Sequence, residues 1–141
     1  MDAAEISRTG LDVEWQRLQV IAQNLANMNT SRTDTGRPYR PARLLSGPGS
    51  DFARLVRAGG PGRPHGVEVL GLEPMAGGVR RVREPGHPHA DAEGFVTYPD
   101  VDHAAEMTLL IKTSRAYEAN LTALTIAQQM YSRAAEIGRQ S

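Results

Sequence analysis

Cysteine is absent from this 141-residue chain, which excludes disulfides and thiolate chemistry. Net charge is missing as well, because 16 basic and 16 acidic groups cancel. Proteins dedicated to nucleic acid usually carry a basic excess that displaces counterions, so nucleic acid is not an expected partner. No run approaches the roughly 18 apolar residues of a membrane-spanning helix, and membrane insertion is not expected either. The opening MDAAEISRTG has no basic stretch followed by an apolar one, so no cleaved signal peptide is expected. Nucleophile elbow, P-loop and G-x-G-x-x-G fingerprint are all wanting, and no cofactor and no enzymatic activity are expected.

Proline and glycine are scarce at the two ends. All nine prolines and 12 of the 14 glycines fall between Gly36 and Pro99, the exceptions being Gly10 and Gly138. The ends can therefore be helical where the middle cannot. From His103 to Ile137 the positions Met107, Leu110, Ser114, Tyr117, Leu121, Leu124, Gln128, Tyr131 and Ala135 recur in steps of three and four. That is a heptad seam. Asp100 or Asp102 can cap its start, Glu106 complements the dipole, and Gly138 is a natural stop. A second apolar set (Ile111, Ala116, Ala123, Ala127, Met130, Ala134, Ile137) runs beside it.

Near the other end Leu11, Leu18 and Leu25 repeat every seven residues, with Trp15 and Ala22 between and Ile21 and Met28 widening the stripe. Ser7 or Thr9 can cap this helix, and Asn27, Asn29, Thr30 and Ser31 favour its end. The expected fold is mainly α with a small β module. The parts are an N-terminal helix within 1–30, a Gly/Pro-rich middle over 31–99, and a C-terminal helix within 100–141. At 1.5 Å per residue the C-terminal helix is about 52 Å long, against a diameter under about 40 Å for a compact globule of this size, so the molecule should be elongated. The shorter N-terminal helix cannot cover both apolar sets, and uncovered helix surface implies a partner.

In the middle, 31–65 reads as extended chain or loop, while 66–72, 78–83 and 94–98 are short strand candidates. With only Phe52 and Phe95 as phenylalanines, a β-hairpin module is expected rather than a robust domain. His87, His89 and Asp91 alternate and could meet on Zn²⁺ if extended, the one enzyme-like arrangement in the chain. The prolines and glycines around them favour a polar turn between strands. Asp91-Ala-Glu-Gly94 resembles a fragment of a calcium loop without its remaining ligands. Arg80, Arg81 and Arg83 fit a solvated strand face or a protein contact better than a phosphate site.

Asn24-Leu-Ala-Asn-Met-Asn-Thr30 resembles the signature that closes the first helix of bacterial flagellar axial proteins of the rod and hook. Gly36-Arg-Pro-Tyr-Arg40 is similar to the element that follows it there. Glu106-Met107 and Ser114-Arg-Ala-Tyr-Glu-Ala-Asn120 are similar to the C-terminal signature of the same group. The stretch from Pro85 to Asp102, with Tyr98 and Pro99, resembles the segment particular to proximal rod proteins of the FlgC type. Asp100 and Asp102 stand where asparagines are common, and Arg37 interrupts the usual Gly-Pro; neither touches the seams.

The resemblance marks Asn24, Asn27, Asn29, Thr30, Tyr39, Tyr98, Pro99, Arg115, Glu118 and Asn120 as motif residues. It implies a structural subunit of the flagellar basal-body rod, exported unfolded by the flagellar type III apparatus and assembled in the periplasm. Its terminal helices would pair as an antiparallel coiled coil and pack with further copies and other rod proteins. The seam residues Leu11, Trp15, Leu18, Leu25, Met107, Leu110, Tyr117, Leu121, Leu124 and Tyr131 would carry that assembly into a shaft transmitting torque to the hook. Another rod or hook axial protein, and a metal-dependent enzyme using His87, His89 and Asp91, are the rival readings.

Overall fold

The computed structural model describes residues 2–49, 57 and 65–141. Helix α1 spans Ala3–Ala26 and helix α2 His103–Gln140. Between them lie β1 (Ala42–Pro48), β2 (Val67–Pro74), β3 (Val79–Arg83) and β4 (Phe95–Pro99). The strands form two separate two-stranded antiparallel sheets, β1 with β2 and β3 with β4. The chain is thus mainly helical with a small β module.

Helix α1 starts earlier than its apolar spacing suggests. Asp2 is the cap: its carboxylate accepts from the Glu5 N–H at 2.8 Å while Glu5 Oε2 accepts from the Asp2 N–H at 2.8 Å. This reciprocal box satisfies two of the free donors at the helix start. Ser7 and Thr9 are therefore not caps. Ser7 is buried inside the helix, and the Thr9 hydroxyl donates to the Ile6 carbonyl and accepts from the Val67 N–H at the head of β2. At the far end Asn27 closes α1, its backbone and side-chain N–H groups both donating to the Gln23 carbonyl. Asp102, not Asp100, caps α2 by accepting from Ala105 N–H at 3.0 Å. Gly138 does not stop this helix, which continues to Gln140; a lone glycine costs only about 1 kcal/mol in a helix with no competing structure to receive it.

The three strands expected at 66–72, 78–83 and 94–98 are β2, β3 and β4. The strand β1 occupies part of the segment 31–65 expected to be loop; residues 50–56 and 58–64 of that segment, Phe52 among them, lie outside the described residues. Two apolar positions and a terminal proline in Ala-Arg-Leu-Leu-Ser-Gly-Pro give β1 no alternation of its own; pairing with β2 makes it a strand. The register breaks between Leu45 and Ser46, leaving Leu70 as an extra residue on β2 beside Gly71 (φ 150°). Leu70 lies over Gly47, where an added Cβ would meet its side chain at 3.1 Å. The β3–β4 pair sets Arg80 opposite Tyr98 and Val82 opposite Val96.

The two helices lie side by side and antiparallel. Gly10 meets Asn120, Asn24 meets Glu106, and Trp15 stacks near Tyr117 with ring centroids 6.2 Å apart. Each step up α1 is therefore matched by a step down α2. Helix α2 is about 57 Å long and α1 about 36 Å, so α2 overhangs the start of α1, and every residue from 131 to 141 is exposed. The molecule is elongated along α2.

Candidate assembly surface

The faces that the helices turn to each other are not the apolar seams. On α1 the buried positions are Ala4, Ser7, Gly10, Val13, Ile21 and Asn24; on α2 they are Glu106, Thr113 and Ala127. With half-buried Leu110, Tyr117, Asn120 and Leu124, the α2 line still alternates in steps of four and three. Of the nine expected α2 seam positions three are kept (Leu110, Tyr117, Leu124) and four are displaced by one residue. Met107, Ser114, Leu121 and Gln128 give way to Glu106, Thr113, Asn120 and Ala127. Met107, Leu121, Tyr131 and Trp15, expected to pack within the pair, are exposed, Leu121 at 47% and Trp15 at 54%. Leu11, Leu18 and Leu25 are half-buried.

Small and hydrogen-bonding residues won the inner face because the helices approach closely there. A Cβ on Gly10 would stand 2.5 Å from Asn120 Oδ1. The Asn120 side chain itself donates to the Ala116 carbonyl at 3.0 Å, folding back on its own helix.

Where the segment after α1 returns to the helix pair, a polar latch ties three elements together. A turn at Thr33–Arg37, with Gly36 at φ 76°, reverses the chain, and the Tyr39 N–H donates to the Thr30 carbonyl at 3.1 Å. Asn24, fully buried, then uses its whole amide. Its Oδ1 accepts from Tyr39 Oη (2.9 Å) and the Ala42 N–H (3.1 Å), and its Nδ2 donates to the Ala42 carbonyl (2.9 Å) and Glu106 Oε2 (3.3 Å). Glu106, equally buried, is ion-paired with Arg43. Burial first, and the Glu106 charge second, push the Tyr39 phenol above its ordinary range, holding it neutral as a donor. Glu106, the acidic residue in the first turn of α2 as expected, is also the centre of the latch. Arg17 adds a second tie, donating to the Leu44 carbonyl at 2.9 Å and Ser46 Oγ at 2.6 Å on β1.

The sheet β3–β4 is fastened to the end of α1 by Arg80, which donates to Asn29 Oδ1 at 2.6 Å and covers the Tyr98 ring at 4.7 Å. The Tyr98 hydroxyl donates to Glu84 at 2.8 Å. His87, His89 and Asp91 do not converge. His89 Nδ1 lies 2.8 Å from Ser31 Oγ, and His87 Nδ1 accepts from the His89 N–H. Asp91 accepts from the N–H groups of Glu93 and Phe95 and pairs with Arg81 at 2.6 Å. The calcium-like Asp91–Gly94 stretch is a turn closed by Asp91 and by Gly94 at φ 84°. Among the described residues no three potential ligands stand together for a metal, and no helix is long and apolar enough to cross a membrane.

Displaced from the inner face, the apolar seams acquire a common location. A one-residue step turns a helix by about 100°. In an antiparallel pair the same step on both helices turns both stripes toward one side, because the helices are seen from opposite ends. In the register set by Gly10/Asn120 and Asn24/Glu106, Leu11, Leu18 and Leu25 fall within about 3 Å of the levels of Leu121, Ser114 and Met107, and Trp15 meets Tyr117. Half-buried Leu11, Leu18 and Leu25 and exposed Trp15, Met107 and Leu121 thus border one side of the pair, the side groove.

The helix pair leaves bulky apolar residues exposed along one side, and comparison with known proteins shows the family. Rod proteins named FlgC align with nearly the whole chain: that of Bacillus subtilis is 33% identical over 95% of each sequence, and that of Borreliella burgdorferi 34% identical over 89% of each. The chain belongs to the FlgC family of flagellar basal-body rod proteins. The FlgC of Escherichia coli O6:H1 is 32% identical, covering 96% of this chain and 95% of its own. Residues 92–137 also match the family described as flagellar basal body rod FlgEFG protein C-terminal. Those residues lie on β4 and α2, so that likeness rests on the C-terminal helix and what leads into it. As a FlgC-family member the chain is a structural subunit of the flagellar basal-body rod and not an enzyme.

The motif residues divide by role. Asn24, Asn27, Asn29, Thr30, Tyr39 and Tyr98 hold the latch and the sheet attachment just described, with Thr30 Oγ1 donating to Asn27 Oδ1. Pro99 is fully buried and Asn120 faces Gly10. Arg115 and Glu118 are exposed on α2. Glu106 and Arg43 were missed as a buried pair: Arg43 sits in a segment without periodicity, and Glu106 in a helical first turn has an ordinary surface use.

Proposed function

We propose that this chain is a proximal rod subunit. Its terminal helices pair as an antiparallel coiled coil toward the rod axis, and they assemble with further copies and other rod proteins into the shaft that transmits torque to the hook. The observation that carries this reading is the side groove: exposed Trp15, Met107 and Leu121 beside heptad-spaced Leu11, Leu18 and Leu25, which the chain itself covers only in part. Stacked contacts of this kind, repeated around a shaft, supply stiffness without any chemistry. In this division residues 1–30 and 100–141 assemble, while 31–99 contacts neighbours further out. The latch at Asn24, Tyr39 and Glu106 fixes the module against the helices. Delivery is by the flagellar type III export apparatus, without a cleaved signal peptide, to a periplasmic position in the rod.

Leu18→Asp or Leu121→Asp puts a charge in the groove, which has no counter-ion there and opposes burial against a neighbour. Cells carrying either variant should make the protein but lack it in isolated basal bodies, and should not swim. Normal incorporation and swimming of both variants would rule the groove out as the assembly surface.

A further inference from the structure

The strand edges of the β module are not equally guarded. Arg17 and Asn24 of α1 hold the Leu44 and Ala42 backbone on the outer edge of β1. β2 carries the bulge at Leu70 and ends in Pro74, while β4 ends in Pro99 and has Phe95 bonded to Asp91. Bulges and prolines spoil an edge for further pairing. β3 has neither. The Glu84 N–H donates to the Gly94 carbonyl and the Asp100 N–H to the Gly78 carbonyl, so the even-numbered residues of β3 are those bonded to β4. Val79, Arg81 and Arg83 therefore turn their backbone N–H and C=O groups outward, and among the described residues nothing bonds to them.

This edge opens at one end into a cavity of about 360 Å³ between segment 37–41 and residues 77–79. That is far more than a lone anion fills, a water's share of liquid volume being about 30 Å³. Val79, 57% exposed, and Tyr39 give the cavity apolar walls, and a Cβ on Gly78 would meet nothing within 4 Å. Arg37 and Arg40 give it positive charge. Acids of the surrounding segments are engaged elsewhere: Glu84 by the Tyr98 hydroxyl, Asp91 and Glu93 by Arg81, Glu106 by Arg43. Among the described residues Arg37 and Arg40 make no ion pair, Asp34 and Asp100 included, and neither does Arg83 at the far end of β3. Unpaired arginines thus bracket an open edge about 14 Å long.

We infer that β3 and this cavity receive an extended, carboxylate-bearing segment of a neighbouring rod subunit, which adds a strand to β3–β4 and sets its acid against Arg37 and Arg40. The outward backbone groups call for a peptide and the guanidinium groups for a carboxylate, and a free anion would meet only the second demand. Two β3 edges would set like charges against each other, so symmetrical pairing of two copies through this strand is disfavoured. A third strand also steadies a sheet that has only two. The inference rests on the reading that residues 31–99 contact neighbours, and it names the surface and the chemistry of that contact.

The test places the photoreactive residue p-benzoylphenylalanine at position 79 of the full chain. Cells are irradiated, basal bodies are isolated, and the adducts are mapped by mass spectrometry. The expected product joins position 79 to one segment of a neighbouring rod subunit, with an Asp or Glu beside the linked residue. Arg37→Gln together with Arg40→Gln, both at exposed positions, should lower the adduct per incorporated copy about tenfold, the equivalent of one charged hydrogen bond. Urea unfolding of the isolated chain should not change. Converting the mapped acid to its amide should cause the same loss from the other side. Incorporated copies that give no adduct, an adduct on a segment without an acid, or an adduct that neither change weakens would overturn the inference while leaving the rod reading intact. Absence of the unsubstituted chain from basal bodies would instead remove the rod reading, and the inference with it.

Discussion

The two long faces of the helix pair invert the usual arrangement. The inner face, which each helix gives to the other, is built from Ala4, Ser7, Gly10, Val13, Ile21 and Asn24 against Glu106, Leu110, Thr113, Tyr117, Asn120, Leu124 and Ala127. The outer face, one residue round, holds half-buried Leu11, Leu18 and Leu25 with exposed Trp15, Met107 and Leu121. In a self-sufficient protein the bulky apolar stripe would be inside. Here the intrachain contact is close and mixes small, polar and apolar side chains, which fixes register, while further bulky apolar residues stay exposed beside it. On the function proposed above, the inner face sets geometry and the outer face supplies adhesion. A rod subunit needs both, because adhesion without register would assemble into many shapes.

The widest separation between the faces should appear when each is attacked once. Leu121→Asp changes an exposed position, so it should cost the isolated chain less than about 1 kcal/mol while abolishing incorporation into basal bodies. Glu106→Ala should do the reverse first. It leaves Arg43 partly buried without its counter-ion and removes an acceptor of Asn24, costing about 3 kcal/mol; this is the low end for a broken buried pair, because Arg43 keeps some solvent. Urea unfolding of both variants reads the first quantity and basal-body fractionation the second. Equal stability losses would collapse the distinction between the faces. Asn24→Ala comes next, at about 2 kcal/mol, since it strands the Ala42 N–H and the Tyr39 hydroxyl together.

Gly10→Ala sharpens the comparison on a smaller scale. Alanine gains about 1 kcal/mol of helix propensity, but its Cβ runs into the Asn120 carboxamide, the far end of a side chain that can swing away. The single variant should therefore fall within about 1 kcal/mol of the parent. With Asn120→Ala also present, the obstruction is gone and Gly10→Ala should stabilise by about 1 kcal/mol. Thermal unfolding of the four-member cycle measures the coupling; strict additivity would mean that the helices do not touch at this level.

Much of this arrangement was legible in the residues. Helices empty of proline, three of four strands, the polar turn at His87–Gly94 and the excess of apolar helix surface all follow from spacing and breakers. What spacing could not supply was the phase of each stripe. A hydrophobic-periodicity reading assigns the bulkiest line to the inside, and it errs by one residue when the inside is made of Gly10, Asn24, Glu106 and Thr113. Long-range pairing was equally out of reach: Arg43 with Glu106 and Tyr39 with Asn24 join positions whose local sequence says nothing of each other. The heptads describe apolar positions on the side of the pair as well as between its members, with Leu110, Tyr117 and Leu124 on the inner line and Met107 and Leu121 exposed beside it.

The smallest effect concerns acid and the turn that attaches β3–β4 to the end of α1. The Asp91 carboxyl is held below its ordinary range first by the Phe95 N–H, with Arg81 and the Glu93 N–H adding to it. His89 is likewise held below its usual range by desolvation and by the Arg32 and His87 charges. Both folded values lie below the unfolded ones, so both groups bind fewer protons in the folded turn. Their contribution is complete above the unfolded values of about 6.5 for His89 and about 3.9 for Asp91, and it is lost as pH falls through the folded ones. Amide exchange at His89, Glu93 and Phe95 should accordingly quicken on acidification before the exchange of Asn24 or Thr113 changes. Both groups are solvent-accessible, so the change should stay local. If the helix-pair amides loosen in step with the turn, the turn is part of the inner face's cooperative unit, and the division between a register-setting core and its attachments would have to be redrawn to include it.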